Sequence, residues 1–563
     1  MKTKLLLMAL LAAALVSCND FLNYDENSDY TKKGAFDTYS RAFQTATYVY
    51  SYLPSDYLAT SSSDNLLGGA SRSAGCDEAE YVWPTSSVHT FYNGTWSATN
   101  TVDDQWGRMY AGIRAANVFL ENGVGLTFPE EQYAQDYKLN MRIYNNLQWE
   151  MRFLRAYYHF ELLKRYNNIP VVEKVMTPEE ANNVEQVPFD SVVEFIVKEC
   201  DIAKQHLPIV YDSLYSLETG RATKAAAMAL KSRVLLYAAS KLHNPEHDQQ
   251  KWIRAAQAAK ALIDSAAIFG VSSLPAYASV ASTDNFALAE VIFAARRDNS
   301  NSPERYNFPI GFEGGNTGNC PTQNLADCYG MMRGKVYDPQ NPFTSERDPR
   351  LMLNVVADGT LFCYNSKVDI SEGSPNGLPT NGATKTGYYL KKFLNKDVSL
   401  TSASTTSSRH TFPLFRFAEV YLNYAEAMVE AYGDWNTTDN NLGLNMTALA
   451  SLNKVRARGG LGLAGYLAAD VTSVDDFTAK LRKERMAELA FEDHRFWDIR
   501  RWKIGPETTK IIRLKIVKDA ATNKNKYSTY ETNDRVWEDR MYFYPIPQTE
   551  IFKNPKLKQN PGW

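Results

Sequence analysis

Cysteine is scarce in this chain. There are six in 563 residues and no Cys-x-x-Cys, which argues against a zinc ribbon and a thioredoxin-type redox site. Beyond Cys18 the set is Cys76, Cys200, Cys320, Cys328 and Cys363, odd in number and too sparse for a disulfide scaffold. Cys320 and Cys328 stand close together in a loop-like stretch, and the sequence leaves open whether they pair. Histidine is scarcer still for the length, and neither His-Glu-x-x-His nor Gly-x-Ser-x-Gly occurs. His243 and His247 have the spacing of a helical metal pair, but Pro245 between them argues against a helix there. A glycosidase needs two carboxylates about 5–9.5 Å apart, and nothing in the sequence locates such a pair. No catalysis, cofactor or metal is therefore expected, and calcium is not indicated. A net charge of −3 gives no basic balance for nucleic acid. After Leu15 no apolar run is long enough to span a bilayer, which takes roughly 20 residues.

The start of the chain is more informative. Lys2 and Lys4 precede an apolar run from Leu5 to Leu15, followed by Leu15-Val16-Ser17-Cys18. This is the order of a secretory signal, and a cysteine placed directly after Leu-Val-Ser has the form of a bacterial lipobox. Residues 1–17 are expected to be removed and Cys18 to carry the lipid; the alternative is an ordinary signal in which Cys18 is incidental. Residues 18–33, polar and acidic, are expected to tether a folded domain to a membrane surface.

Helical periodicity then dominates the first half of the chain. Leu147, Met151, Leu154, Tyr158 and Leu162 mark one face of a helix from Asn146 to Tyr166, ended by Asn167-Asn168-Ile169-Pro170. Between Ala222 and Ile268, alanine-rich runs on either side of Asn244-Pro245 predict two closely packed helices. They resemble a tetratricopeptide unit, without its full consensus. Further helices are predicted at Phe415 to Tyr432, Leu449 to Arg456 and Ser473 to Phe491, the last with a Ser473–Asp476 capping-box pattern. The expected fold is mainly α, a scaffold of tetratricopeptide-like helical pairs with a loop-rich, irregular half carrying a few short strands. Two long stretches, Ser55 to Asn100 and Asn299 to Arg409, break the rhythm and carry aromatics. Loops of that length in a compact domain are usually functional or disordered, and the aromatics favour function.

Motifs in order along the chain carry a family resemblance. They include Asn19-Asp20-Phe21-Leu22 after the lipobox, Glu150 to Phe160, Gly220-Arg221-Ala222-Thr223-Lys224, Pro321-Thr322-Gln323 and Asp348-Pro349-Arg350. Pro413 to Ala427, Leu452 to Arg456, Arg482 to Arg485 with Glu488, Trp497 to Trp502, Tyr544 to Pro547 and Asn560 to Trp563 complete the set. The chain resembles the SusD/RagB outer-membrane nutrient-binding lipoproteins of Bacteroidetes. That resemblance implies an N-terminal SusD-like helical region over 34–290 and a C-terminal SusD/RagB region over 291–563. It also implies a lid, exposed on the extracellular face, over a SusC-like TonB-dependent transporter that imports glycan fragments or, in some members, peptides.

The family motifs themselves read as structure. Arg482, Arg485, Glu488, Trp497, Asp498, Arg500 and Trp502 fit a buried ion-pair network under tryptophan better than a pocket. The loops supply better ligand candidates: Tyr81, Trp83, Tyr92, Trp96 and Asn100, with Asp64, Asn65 and Arg72 as polar neighbours. Aromatic faces stack on the C–H face of a pyranose, and planar polar groups bond its hydroxyl pairs. The resemblance favours Trp96 and Asn100, because glycan-binding members place an Asn shortly after a loop Trp. The opposing reading is that Trp83 or Trp96 plugs the loop onto the helices. Tyr306, Phe312, Tyr329 and Tyr337 come from the second loop, in and beyond a glycine-rich stretch with Asn316 and Asn319. Neither loop carries a basic cluster, which disfavours strongly anionic polysaccharides. Peptide capture, or a purely structural lid, are the alternatives to glycan capture.

Overall fold

The computed structural model describes residues 34–54, 67–215, 219–296 and 298–563. The expected signal, Cys18, the tether, Asp64 and Asn65 fall outside the described residues.

The longer helices are α1 (Tyr39–Val49), α2 (Trp106–Asn122), α3 (Tyr137–Tyr166), α4 (Phe189–His206), α5 (Lys224–Ala239), α6 (Gln249–Asp264), α7 (Phe417–Tyr432), α8 (Ala448–Arg456), α9 (Val474–Glu488) and α10 (Arg495–Arg501). From α2 to α8 each packs against the next in chain order, the serial stacking of a helical-repeat scaffold. In α3 all five stripe residues are buried, and the helix begins at Tyr137, earlier than the apolar stripe indicates. It stops where Asn167 turns to a left-handed φ of 62°. Thr223 caps α5, its hydroxyl accepting from the Ala226 amide. The fully buried Ala226, Ala227, Ala256 and Ala259 keep α5 and α6 close together. Ser473 caps α9 through the Asp476 amide (3.1 Å), but the Asp476 carboxylate accepts from Thr472 instead of Ser473, so only half of the box forms.

The loop-rich half is an insertion between α6 and α7. Strands β2 (Val291–Arg296) and β8 (Thr411–Arg416) pair antiparallel at its root, and β8 leads directly into α7. The remaining strands are β1 (Ala79–Tyr81), β3 (Asn319–Pro321), β4 (Val355–Val356), β5 (Tyr389–Leu390), β6 (Leu400–Thr401), β7 (Ser404–Thr405), β9 (Ile511–Lys518) and β10 (Asn525–Thr532). They form only separate two-stranded sheets among the described residues.

Buried charges lock the insertion to the scaffold. Arg416 at the end of β8 pairs with Glu290, Glu488 and Glu492; Arg350 pairs with Asp348, Glu484 and Glu488; Arg458 pairs with Glu290 and Glu488. Burial alone would raise the Glu488 carboxyl, but Arg458, Arg416 and Arg350 bring it down to about 2. Such a network holds only while every member stays, because one deletion strands a charge in low dielectric. A second network joins Arg485 and Arg501 to Asp498, and Arg501 to Glu426, with the Trp502 indole donating to Glu426. The family motifs of α9 and α10 are thus largely spent on packing. The five cysteines after the lipobox are all free thiols. A Cys320–Cys328 disulfide does not form: Cys320 faces the Gly318 carbonyl, whereas Cys328 faces Asn324 and Met486.

Candidate functional site

The antiparallel pair β1–β3 brings the two long loops together, with Glu80 opposite Cys320 and Tyr81 opposite Asn319. Tyr81 is buried, and its hydroxyl abuts Gly69, where a Cβ would lie 2.4 Å from the oxygen. Half-buried Tyr306 flanks the same glycine. Burial pushes the Tyr81 hydroxyl pKa far up, keeping it neutral.

Just beyond β1, Trp83 is only half-buried. Its indole N–H donates to the Asn316 carbonyl (2.8 Å), which fixes the ring plane against the glycine-rich turn. The ring lies on Gly382, where a Cβ would stand 2.8 Å from it, and the Thr317 hydroxyl donates to the Gly382 carbonyl. His89 contacts the Trp83 carbonyl through Nε2 (2.9 Å) and the Tyr92 hydroxyl through Nδ1 (2.6 Å). Burial lowers the His89 pKa below the ordinary imidazole value. The Arg535 guanidinium sits over the half-buried Tyr92 ring, 4.3 Å from its centroid. On the other side of the turn, half-buried Phe312 meets Tyr364 at 6.4 Å. Tyr364 is 36% exposed with a left-handed φ of 54°, and its hydroxyl accepts from the Leu400 amide. Trp83, Tyr92, Tyr306, Phe312 and Tyr364 thus keep ring surface accessible near the junction of the loops, each anchored by its neighbours. Tyr364 is not among the sequence candidates; the backbone turns through a short 3-10 segment at Cys363–Asn365, a feature local spacing does not reveal.

Other candidates lie elsewhere. Trp96 is 1% exposed, boxed by Phe91 (5.1 Å), Tyr544 (4.9 Å) and Trp563 (5.0 Å). No face of this ring is open to a sugar in this structure, and the plugging alternative describes its placement. Arg72 is equally buried and pairs with Asp103 and Asp493. Its bidentate geometry is used inside the protein, and the Asp103 carboxyl is held below the usual range by Arg72 and Arg165 against the effect of burial. Tyr329 is buried, its hydroxyl accepting from Asn354. Exposed Tyr337 lies under the Arg347 guanidinium, and exposed Asn100 donates to the Thr95 carbonyl within its own turn. Asn319 is buried, accepting from the Ser71 amide. Trp106 and Tyr110 edge a separate cleft of about 490 Å³, with Arg114, Met176 and Lys553.

Comparisons with known proteins agree with this architecture. A sequence profile described as SusD family matches residues 289–563, and one described as starch-binding associating with outer membrane matches 22–236. The chain belongs to the SusD/RagB family. A SusD-like protein of Formosa agariphila is 23% identical to it over 478 residues, 82% of this chain and 79% of that one. A SusD-like protein from Bacteroides fragilis superposes with a TM-score of 0.73 at 26% identity, covering 94% of this chain and 98% of the other. A SusD-like carbohydrate-binding protein from the same species gives a TM-score of 0.71 at 23% identity, covering 93% and 99%. The helical-pair scaffold is thus that of the SusD/RagB fold, and the family is one of binding proteins.

Proposed function

We propose that this protein captures oligosaccharide or polysaccharide at the cell surface, on the aromatic face centred on Trp83, and delivers it to a SusC-like TonB-dependent transporter. The observation that carries the reading is the half-buried Trp83 ring, fixed by Asn316 and Gly382. A preoriented ring loses little freedom on stacking against a sugar. The relative described as carbohydrate-binding and the profile described as starch-binding support the same ligand class. The lipobox-like Leu15 to Cys18 supports lipid anchoring, and the profile described as associating with outer membrane supports that membrane as the site. No catalytic role is assigned to any residue.

Affinity electrophoresis of the chain from Asn19 onward, in gels cast with different polysaccharides, tests capture. Retardation in one polysaccharide and free migration in the others is the expected result. No retardation in any gel, together with saturable binding of peptides, would move the protein to the peptide-capturing branch.

A further inference from the structure

The β9–β10 hairpin is strongly basic within an acidic chain. Residues 510–532 hold Lys510, Arg513, Lys515, Lys518, Lys524 and Lys526 against two acids, Asp519 and Glu531. The hairpin also builds a cleft. The Leu514 amide donates to the Thr386 carbonyl and the Glu372 amide to the Ile516 carbonyl, both at 2.9 Å, clamping the 370–387 segment along β9. Gly387 permits this approach, with a φ of 83° and space for no Cβ, which would lie 2.5 Å from the Leu514 carbonyl oxygen. Between the two clamps an opening of about 390 Å³ remains, its lining including Glu372, Leu378, Lys385, Lys515, Ser528 and Tyr530.

The charges in this cleft do not cancel. Glu372 pairs with Lys515 at 3.1 Å, whereas Lys385 is exposed and has no carboxylate within 4 Å among the described residues. Tyr530 is 39% exposed, and its hydroxyl reaches the Lys385 carbonyl at 3.5 Å, which sets its ring beside that lysine. Lys385 also follows closely on Gly382, the residue under Trp83. A free ammonium, an accessible ring and the Ser528 hydroxyl therefore line this cleft, three residues along the chain from the glycine under Trp83.

We propose that this cleft takes an anionic sugar residue of the captured glycan, its oxyanion held by Lys385 and its ring laid against Tyr530; the assignment rests on the glycan-binding reading of the Trp83 face. The ammonium–oxyanion bond is charge-assisted, stronger than a neutral hydrogen bond. Lys385 comes from the second loop and Lys515 from the hairpin, so the cations meet only in the fold and form no cluster along either loop's sequence. A uronate carboxylate and a sulfate ester share this chemistry.

Paired ligands separate them: oligogalacturonates against their methyl esters, and sulfated galactan oligosaccharides against the desulfated forms. Each is titrated into the chain from Asn19 onward, into Lys385→Gln, and into Lys524→Gln, which removes an equal charge outside the cleft. One anionic ligand is expected to bind about tenfold tighter than its neutral partner, with Lys385→Gln losing about that factor and Lys524→Gln losing little. The pair that responds names the oxyanion. Equal losses in both variants would mean a general field and no site, overturning the proposal. Neutral partners binding as tightly, with Lys385→Gln unchanged, would overturn it while leaving glycan capture standing. Failure of every charged and neutral oligosaccharide to bind would overturn the glycan reading and this assignment with it.

Discussion

Trp83 and Trp96 come from one aromatic loop and end in opposite environments. Trp83 is half-exposed, and its N–H is tied to a backbone carbonyl. Trp96 is enclosed by Phe91 of its own loop and by Tyr544 and Trp563 from the far C-terminal end. Trp96→Ala is therefore expected to cost about 3–5 kcal/mol of stability, the range for truncating a buried aromatic, read as a lowered midpoint in denaturant. Arg72→Ala is expected to lose about 3–5 kcal/mol too, because Asp103 and Asp493 would keep buried charge without a partner. Glu78 carries a pH dependence of its own. Burial raises its pKa from 4.5 to about 7, despite hydrogen bonds from Ser73 and the Phe491 amide. The folded state thus binds the proton more tightly than the unfolded chain. The stability this contributes is full below the unfolded pKa and is lost as pH rises through about 7. Denaturation of wild type and Glu78→Gln at pH 5 and pH 8 should show a smaller loss at the higher pH in the variant. That the loops carry aromatics was legible from composition. Which ring faces solvent was not, because local spacing says nothing about partners such as Tyr544 and Trp563.

At the scale of elements, periodicity located the scaffold well where helices bury one stripe, as in α3, and where alanines mark close packing, as in α5 and α6. Boundaries moved where the apolar stripe is weaker, as at Tyr137. The β9–β10 hairpin was not legible. In β9 only Ile511, Leu514 and Ile516 are buried, an interval that breaks strict alternation, and β10 is largely exposed. The turn under Trp83 gives an element-level prediction. Gly382 has a φ of 81° and no room for a Cβ beneath the ring. Gly382→Ala should displace Trp83 and weaken ligand binding several-fold, and the altered indole environment should appear as a shift in tryptophan fluorescence.

At the scale of the molecule, a serial helical stack holds a loop-rich insertion through β2–β8 and the buried Arg350–Arg416–Arg458 network. This division of labour explains why the motifs that identify the family are mostly buried while the accessible rings sit in irregular loops. Packing requirements fix the former; ligand shape has only to be met by the latter. Anchoring adds a cellular prediction. Cys18→Ala should move the protein out of the membrane fraction of its host, seen by fractionation and by loss of labelling with a lipid precursor.

The most direct test is calorimetric titration of wild type and Trp83→Ala with oligosaccharides of the polysaccharide that retards the protein in a gel. Saturable heat with wild type, and an affinity at least about tenfold weaker in a variant with an unchanged unfolding temperature, is the predicted result. Equal affinity in the two proteins would contradict placing the binding face at Trp83.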